Sequence, residues 1–194
     1  YHLHTSKNDY IHHFLGVHYS VGSSITDYFK NLNDELTYII SEESSQLGTA
    51  GAIANAKHLT KSKHVLILNG DSYCPVNLQH LLDFHFTKNS RTTITLANIE
   101  NPKDFGVVTT NQQEMITGFN EKPSFAGPGM INAGIYFFNS DVIDSIPKNK
   151  PVSLETEFFP TLIKSGNIYG FASQKKLIDI GTPERLEEAK KLLT

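Results

Sequence analysis

Cysteine is all but absent: Cys74 is the single one in 194 residues. That excludes a disulfide framework and any multi-cysteine zinc site, and it fits a reducing cytoplasm. Excess basic charge is missing too. Lys and Arg number 17 against 20 Asp and Glu, a net charge of −3 with histidine neutral, whereas a nucleic-acid partner rewards a concentrated basic surface. The longest apolar runs, residues 65–68 and 135–138, fall far short of the roughly 20 residues that span a bilayer. No signal-peptide pattern, internal repeat or low-complexity linker occurs. The chain opens without methionine at Tyr1-His2-Leu3-His4, which reads as a fragment. The expectation is a cytoplasmic globular protein with neither nucleic acid nor a membrane as partner. At roughly 150 residues per domain the length predicts one domain, 1–194, large enough to bury about 70% of its extended surface without staples.

What is present is an alternation of short β-rich runs with helical patterns, as in parallel strands joined by crossover helices. Residues 14–19 read as a strand, Ser23 and Ser24 as caps of a helix with Ile25, Tyr28 and Phe29 on one face, and 36–40 as the next strand. Residues 48–58 read as a small-residue helix feeding the apolar strand 64–68, which looks buried on both faces. Asn77 offers a cap to a third helix with Leu78, Leu81, Leu82 and Phe86 on one side, and 92–97 returns as a strand. Beyond Pro102 the pattern changes to Gly-punctuated strands at 106–109, 115–119 and 131–138, a mixed or antiparallel extension that would carry a second ligand's pocket. A helix is expected at 154–164, broken at Pro160. Short strands at 168–172 and 177–180 lead to Thr182-Pro183, a cap with proline in the first turn, and to a last helix with Leu186, Ala189 and Leu193 inward. The fold class is α/β with a mixed, mainly parallel central sheet.

Ligands of open parallel sheets bind beyond the carboxyl ends of the strands. Gln46-Leu47-Gly48-Thr49-Ala50-Gly51-Ala52 is a Gly-rich turn opening a helix, where bare amides can approach a base or a phosphate. The same small residues equally serve tight packing of a helix on a sheet. No glycine-lysine-serine/threonine follows, so it is not the phosphate loop of the common ATPases. At Leu68-Asn69-Gly70-Asp71-Ser72 a strand ends in an acid placed to hold Mg²⁺ against phosphates, unless Asp71 merely turns the chain after Gly70. Asp179 lies among Leu177, Ile178 and Ile180, where a carboxylate is costly without a cation or hydrogen bonds. The two aspartates make a candidate metal pair. Glu121 and Lys122, ahead of Pro123, offer an acceptor for hydroxyls and a point charge for a phosphate, with solvated surface as the bland alternative. Asn132, between Ile131 and Ala133, needs a polar partner that a sugar hydroxyl would supply.

In order along the chain, these segments resemble the sugar-phosphate nucleotidyltransferase family. Gly118-Phe119-Asn120-Glu121-Lys122-Pro123, Phe125-Ala126-Gly127-Pro128-Gly129, Ile131-Asn132-Ala133-Gly134-Ile135-Tyr136, Ser153-Leu154-Glu155 and Asp179-Ile180-Gly181-Thr182-Pro183-Glu184 carry the likeness. They most resemble the D-glycero-D-manno-heptose 1-phosphate guanylyltransferases. Mannose 1-phosphate guanylyltransferases are similar over the same residues, and thymidylyl and uridylyl relatives share the skeleton. The resemblance implies a Rossmann-like, three-layer, GT-A-like fold. It implies that Leu47, Gly48, Thr49 and Gly70 bind the nucleotide, that Asp71 and Asp179 share Mg²⁺ as catalytic residues with Lys122, and that Gly106, Glu121, Lys122, Asn132 and Glu155 face the sugar phosphate. Family members open with a strand and a Gly-Gly-x-Gly-Thr-Arg loop. No such sequence is present, and Tyr1 enters where the family is already inside a later helix.

The implied reaction moves a nucleoside monophosphate, GMP from GTP, onto a sugar 1-phosphate to give a nucleotide sugar and pyrophosphate for cell-surface glycan such as lipopolysaccharide. A sugar 1-phosphate is already an anionic nucleophile, so the chain's lack of a catalytic triad is no obstacle; alignment and charge neutralisation are what catalysis needs. The partners are then NTP and sugar 1-phosphate, with a homodimer as in many relatives and residues 125–130 as a partner loop or sugar lid. Two alternatives stand beside it: a catalytically silent sugar-nucleotide-binding or regulatory domain, or a mannose or glucose 1-phosphate nucleotidyltransferase. A glycosyltransferase of similar fold is weaker, because Asn69-Gly70-Asp71-Ser72-Tyr73 is not its usual Asp-x-Asp. His2, His4, His12, His13 and His18 crowd the start without a ligand spacing and read as no metal site. Cys74 reads as a small core residue.

Overall fold

The computed structural model describes residues 13–18, 27–29, 31, 37–103, 105–120 and 127–193. They fall into two compact units, one within residues 1–61 and 146–152, the other within 62–145 and 153–194.

In the smaller unit, β1 (His13–His18) pairs in parallel with β2 (Thr37–Glu42). Parallel neighbours require a crossover between them, and residues 27–29 within it are helical; Ser23, Ser24 and Ile25 of the expected helix lie outside the described residues. Helix α1 (Gly48–Ala56) follows and tightens into a 3₁₀ turn at Lys57–Leu59. Its buried residues are Ala50, Gly51, Ala54 and Ala56, so the helix packs through backbone rather than through long side chains.

The larger unit runs β3 (His64–Leu68), β4 (Ser72–Tyr73), α2 (Leu78–Thr87), β5 (Thr92–Ile99), β6 (Val107–Thr110), β7 (Ile116–Asn120), β8 (Gly129–Asn139) and α3 (Ser140–Asp144). A π-helical turn (Leu154–Phe158), α4 (Phe159–Ser165), β9 (Ile168–Ala172), β10 (Ile178–Asp179) and α5 (Pro183–Leu193) complete it. The sheet order is β7-β6-β8-β5-β9, with β3 also on β8. β5 runs along one edge of β8, leaving the other to be shared by β3, opposite residues 135–139, and β6, at Ile131. β8 is antiparallel to β3, β5 and β6, and β9 is parallel to β5. Four strands therefore point one way, while β7 and β8 oppose them. This is the expected mixed sheet, but β8 is inserted between β3 and β5, so most direct neighbours are antiparallel. Tyr136 and Phe138 of β8, with Phe159 of α4, form the fully buried aromatic centre.

Three expectations are corrected. β3 is half-buried along its whole length rather than buried on both faces, because among the described residues it pairs with β8 alone. In α2, capped by Asn77 Oδ1 accepting from His80 N at 3.1 Å, Leu81 is buried but Phe86 is 55% exposed. His85 takes the inward place because its ring nitrogens find Thr93 Oγ1 at 2.8 Å and Asn139 Oδ1 at 3.0 Å. In α5, Ala189 is buried but Leu186 is 38% exposed. The helix turns Arg185 toward β10, and the next residue, about 100° further round, then faces water. The break at Pro160 is as expected: a π turn ends at Phe158, and Pro160 sits in the first turn of α4.

Candidate active site

A cleft of about 230 Å³ opens at the strand ends of the larger unit. It brings together Asp71, Gly106, Asn132, Glu155 and Asp179, which lie far apart in sequence and were all expected in the site. Asn69, Ser72, Phe105, Phe119 and Leu177 complete the lining; the sequence reading assigned them no contact. Apolar residues at a strand end look like core, and Asn69 was overshadowed by the acid two residues on.

Asp179 lies on β10, and Asp71 lies in the turn immediately before β4. β10 pairs antiparallel with β4, setting Asp179 opposite Ser72, and Ile180 N donates to the Asp71 carbonyl at 2.9 Å. Asp71 Oδ1 accepts from Ser72 Oγ at 3.2 Å. Asp179 Oδ1 accepts from Gly181 N at 3.1 Å and from Arg185 Nη1 at 2.9 Å, and the Arg185 guanidinium lies 5.2 Å from the Phe105 ring centroid. No cluster of three or more His, Cys, Asp or Glu able to hold a metal occurs among the described residues. Two carboxylates nevertheless fit Mg²⁺, which keeps waters and takes its other oxygens from substrate phosphates.

Asn132 Nδ2 donates to the Tyr136 hydroxyl at 2.8 Å, and Asn132 Oδ1 accepts from Gly134 N at 3.0 Å, so this polar residue of an apolar strand has partners within the fold. Gly106 lies against the ring edge of Phe119: a Cβ there would stand 2.6 Å from Phe119 Cε1, so the ring would have to shift. Glu155 is carried on the π turn, whose start is tied reciprocally, Ser153 Oγ accepting from Thr156 N and Glu157 Oε1 from Ser153 N. Ser153 Oγ also donates to Glu155 Oε2 at 3.2 Å. Cys74 is buried, and burial pushes its thiol up despite the contact with Ser173 Oγ, which fits a core residue.

Gly70 sits between two lining residues without lining the cleft itself. Leu47, Gly48 and Thr49 belong to the smaller unit. There Gly48 has φ +69 and a Cβ would meet Val152 O at 2.7 Å. Ala50 N and Gly51 N both donate to that same carbonyl, at 2.9 and 3.3 Å. Gly48 and Gly51 of this turn thus permit close approach to the 150–152 backbone. Glu121 and Lys122 lie outside the described residues, as do His2, His4 and His12.

Residues 10–194 match the Nucleotidyl transferase family, and the chain belongs to it. Among its relatives, a mannose-1-phosphate guanylyltransferase of Mycobacterium tuberculosis is 36% identical over 152 residues, 77% of this chain and 42% of that protein. A mannose-1-phosphate guanylyltransferase catalytic subunit beta of Drosophila melanogaster is 37% identical over 157 residues, 80% of this chain and 42% of that one. The chain spans about two-fifths of the length of these relatives. In three dimensions it is similar to HddC from Yersinia pseudotuberculosis, with a TM-score of 0.84 and 24% identity over 94% of this chain and 79% of that one; this likeness shows the fold. No helix among the described residues is long and apolar enough to cross a membrane.

Proposed function

We propose that this chain carries the transfer site of a sugar 1-phosphate guanylyltransferase, which moves GMP from GTP to a sugar 1-phosphate of the manno configuration and releases pyrophosphate. The observation that carries the reading is that Asp71, in the turn just before β4, and Asp179 of β10 line one cleft with Asn69, Asn132 and Glu155. Mannose 1-phosphate is the first acceptor to consider, on the strength of relatives at 36% and 37% identity. D-glycero-D-manno-heptose 1-phosphate, favoured by the motif around Asn132, shares the configuration of that ring.

In this reading a phosphate oxygen of the sugar 1-phosphate attacks the α-phosphorus of GTP, and the bond to pyrophosphate breaks. No protein base is needed, because the nucleophile is already ionised. Asp71 and Asp179 would hold Mg²⁺ with the phosphate oxygens, and the ion supplies charge neutralisation between two polyanions. Asn132 and Glu155 orient the sugar, and Lys122 and Glu121 restrain its phosphate and hydroxyls. Such an enzyme would work in the cytoplasm, supplying activated sugar for glycan assembly.

The test is pyrophosphate release with Mg²⁺, each of the four NTPs, and mannose, D-glycero-D-manno-heptose and glucose 1-phosphates. Turnover with GTP and a manno-configured acceptor, abolished by Asp71→Asn, is the expected result. Binding of GDP-sugar without turnover would make the chain a silent recognition domain. Neither binding nor turnover would remove the reading.

A further inference from the structure

Behind Asn132 lies a polar group that the reaction above does not use. Tyr136 is fully buried, its ring centroid 5.4 Å from that of Phe159. A hydroxyl in such surroundings is costly unless bonded. Tyr136 meets the requirement with two amides that line the cleft: it accepts from Asn132 Nδ2 at 2.8 Å and is hydrogen-bonded to the Asn69 side chain. Gly134 closes the arrangement in left-handed backbone, φ +72. Its N–H donates to Asn132 Oδ1 at 3.0 Å, its carbonyl accepts from Asn69 N at 2.8 Å, and a Cβ there would stand 3.0 Å from Asn69 Cβ. The Asn132 amide thus turns its oxygen to Gly134 and one nitrogen hydrogen to Tyr136. That fixes its flip state and leaves the second Nδ2 hydrogen as a donor.

We propose that Tyr136 is a positioning residue of the sugar-phosphate subsite, its phenol locking Asn132 as a hydrogen-bond donor toward acceptor atoms of the ligand and holding Asn69 in register beside it. The proposal rests on the sugar 1-phosphate reading above. Burial first, then the negative charge of Glu155, drives the phenol's pKa up, so Tyr136 acts as a fixed dipole and not as a proton shuttle. The remaining Nδ2 hydrogen of Asn132 favours ligand atoms with lone pairs, such as hydroxyl or phosphate oxygens.

The experiment compares the unaltered chain with Tyr136→Phe, Asn132→Ala and the double variant, titrating mannose 1-phosphate and Mg²⁺-GTP by calorimetry. Phenylalanine fills the same space, so an unchanged circular dichroism spectrum is expected. Tyr136→Phe should weaken mannose 1-phosphate about tenfold, the loss of about one hydrogen bond, and leave GTP within about twofold. In the double variant the loss should equal that of Asn132→Ala alone, since Tyr136 acts through Asn132. Additive losses, equal weakening of GTP, or no change in Tyr136→Phe would each overturn the proposal. If the unaltered chain binds no sugar 1-phosphate, the functional reading fails by itself, and the Asn132 side-chain amide signals in a ¹H–¹⁵N spectrum still decide the positioning. A resolved, slowly exchanging pair that shifts and exchanges at least tenfold faster in Tyr136→Phe supports it; identical signals in both overturn it.

Discussion

Asp179 and Arg185 form an ion pair, with Nη1 2.9 Å from Oδ1 and the two side chains 19% and 32% exposed respectively. Arg185 comes from the first turn of α5, where Arg185 N also donates to Thr182 Oγ1 at 3.3 Å. The same carboxylate oxygen that would face a divalent cation therefore already meets a guanidinium. A fixed positive charge beside a metal ligand opposes cation binding, and at partial exposure the Coulomb effect is on the order of 1 kcal/mol.

Arg185→Gln should accordingly bind Mn²⁺ about three- to tenfold more tightly than the unaltered chain, read by electron paramagnetic resonance of the free ion. The Tm should fall by about 1–3 °C from loss of the pair and of its packing on Phe105. Weaker Mn²⁺ binding in the variant would mean that Arg185 aligns Asp179 for the metal instead of competing for it.

Removing either carboxylate should act in the opposite sense. Asp71→Asn and Asp179→Asn each delete a charge from the cleft, and should cost the proposed Mg²⁺-dependent transfer about 10²-fold or more, the scale on which electrostatic stabilisation of a transition state operates. Both should bind Mn²⁺ more weakly. Asp71, whose side chain accepts from Ser72 Oγ in an exposed hydrogen bond, should leave the Tm unchanged on substitution, whereas Asp179→Asn should lower it by disturbing Arg185. Equal Tm losses at the two positions would contradict this division.

Backbone geometry makes a sharper prediction in the smaller unit. Gly48→Ala puts a Cβ into left-handed backbone and 2.7 Å from Val152 O, and the cost of such a conformation is about 1–3 kcal/mol before the clash is counted. For a chain of this length that is a fall in Tm of roughly 2–12 °C. Gly70→Ala is the control, since nothing lies within 4 Å of a Cβ there, and it should stay within about 0.5 kcal/mol of the parent. A Gly48→Ala variant as stable as Gly70→Ala would show that the 150–152 backbone yields easily.

How much of this was legible in the sequence depends on residue type. Asp71, Asp179 and Asn132 could be found because each is a polar group at or within an apolar strand, and such a residue demands a partner wherever the fold puts it. Gly106, just ahead of β6, packs against the ring of Phe119 in β7, a contact that no local spacing announces. The place of β8 was not legible either: pairing of His64 with Asn139 spans 75 residues, and periodicity reports which face a strand buries, never its neighbour. In α2, residues 85 and 86 both fall near the apolar stripe of Leu78 and Leu81. Thr93 and Asn139, distant in sequence, decide that the histidine goes inside and the phenylalanine outside.

That choice carries a pH dependence. His85 is 1% exposed; burial first, and the nearby His64 ring, lower its pKa below the ordinary 6.5, against an opposing contribution from Asn139. The folded chain therefore keeps His85 neutral at a pH where the unfolded chain has already taken up a proton. Because the unfolded state binds more protons there, stability must fall as pH drops below about 6.5, with a slope of at most about 1.4 kcal/mol per pH unit from this residue, and the contribution is flat above that value. Urea unfolding at pH 7.5, 6.5 and 5.5 should show the midpoint constant over the first interval and falling over the second. His85→Gln, which removes the titrating group while keeping an amide for Thr93 and Asn139, should lower stability at pH 7.5 but shed this part of the acid slope. An unchanged acid slope in His85→Gln would assign the acid sensitivity to other groups.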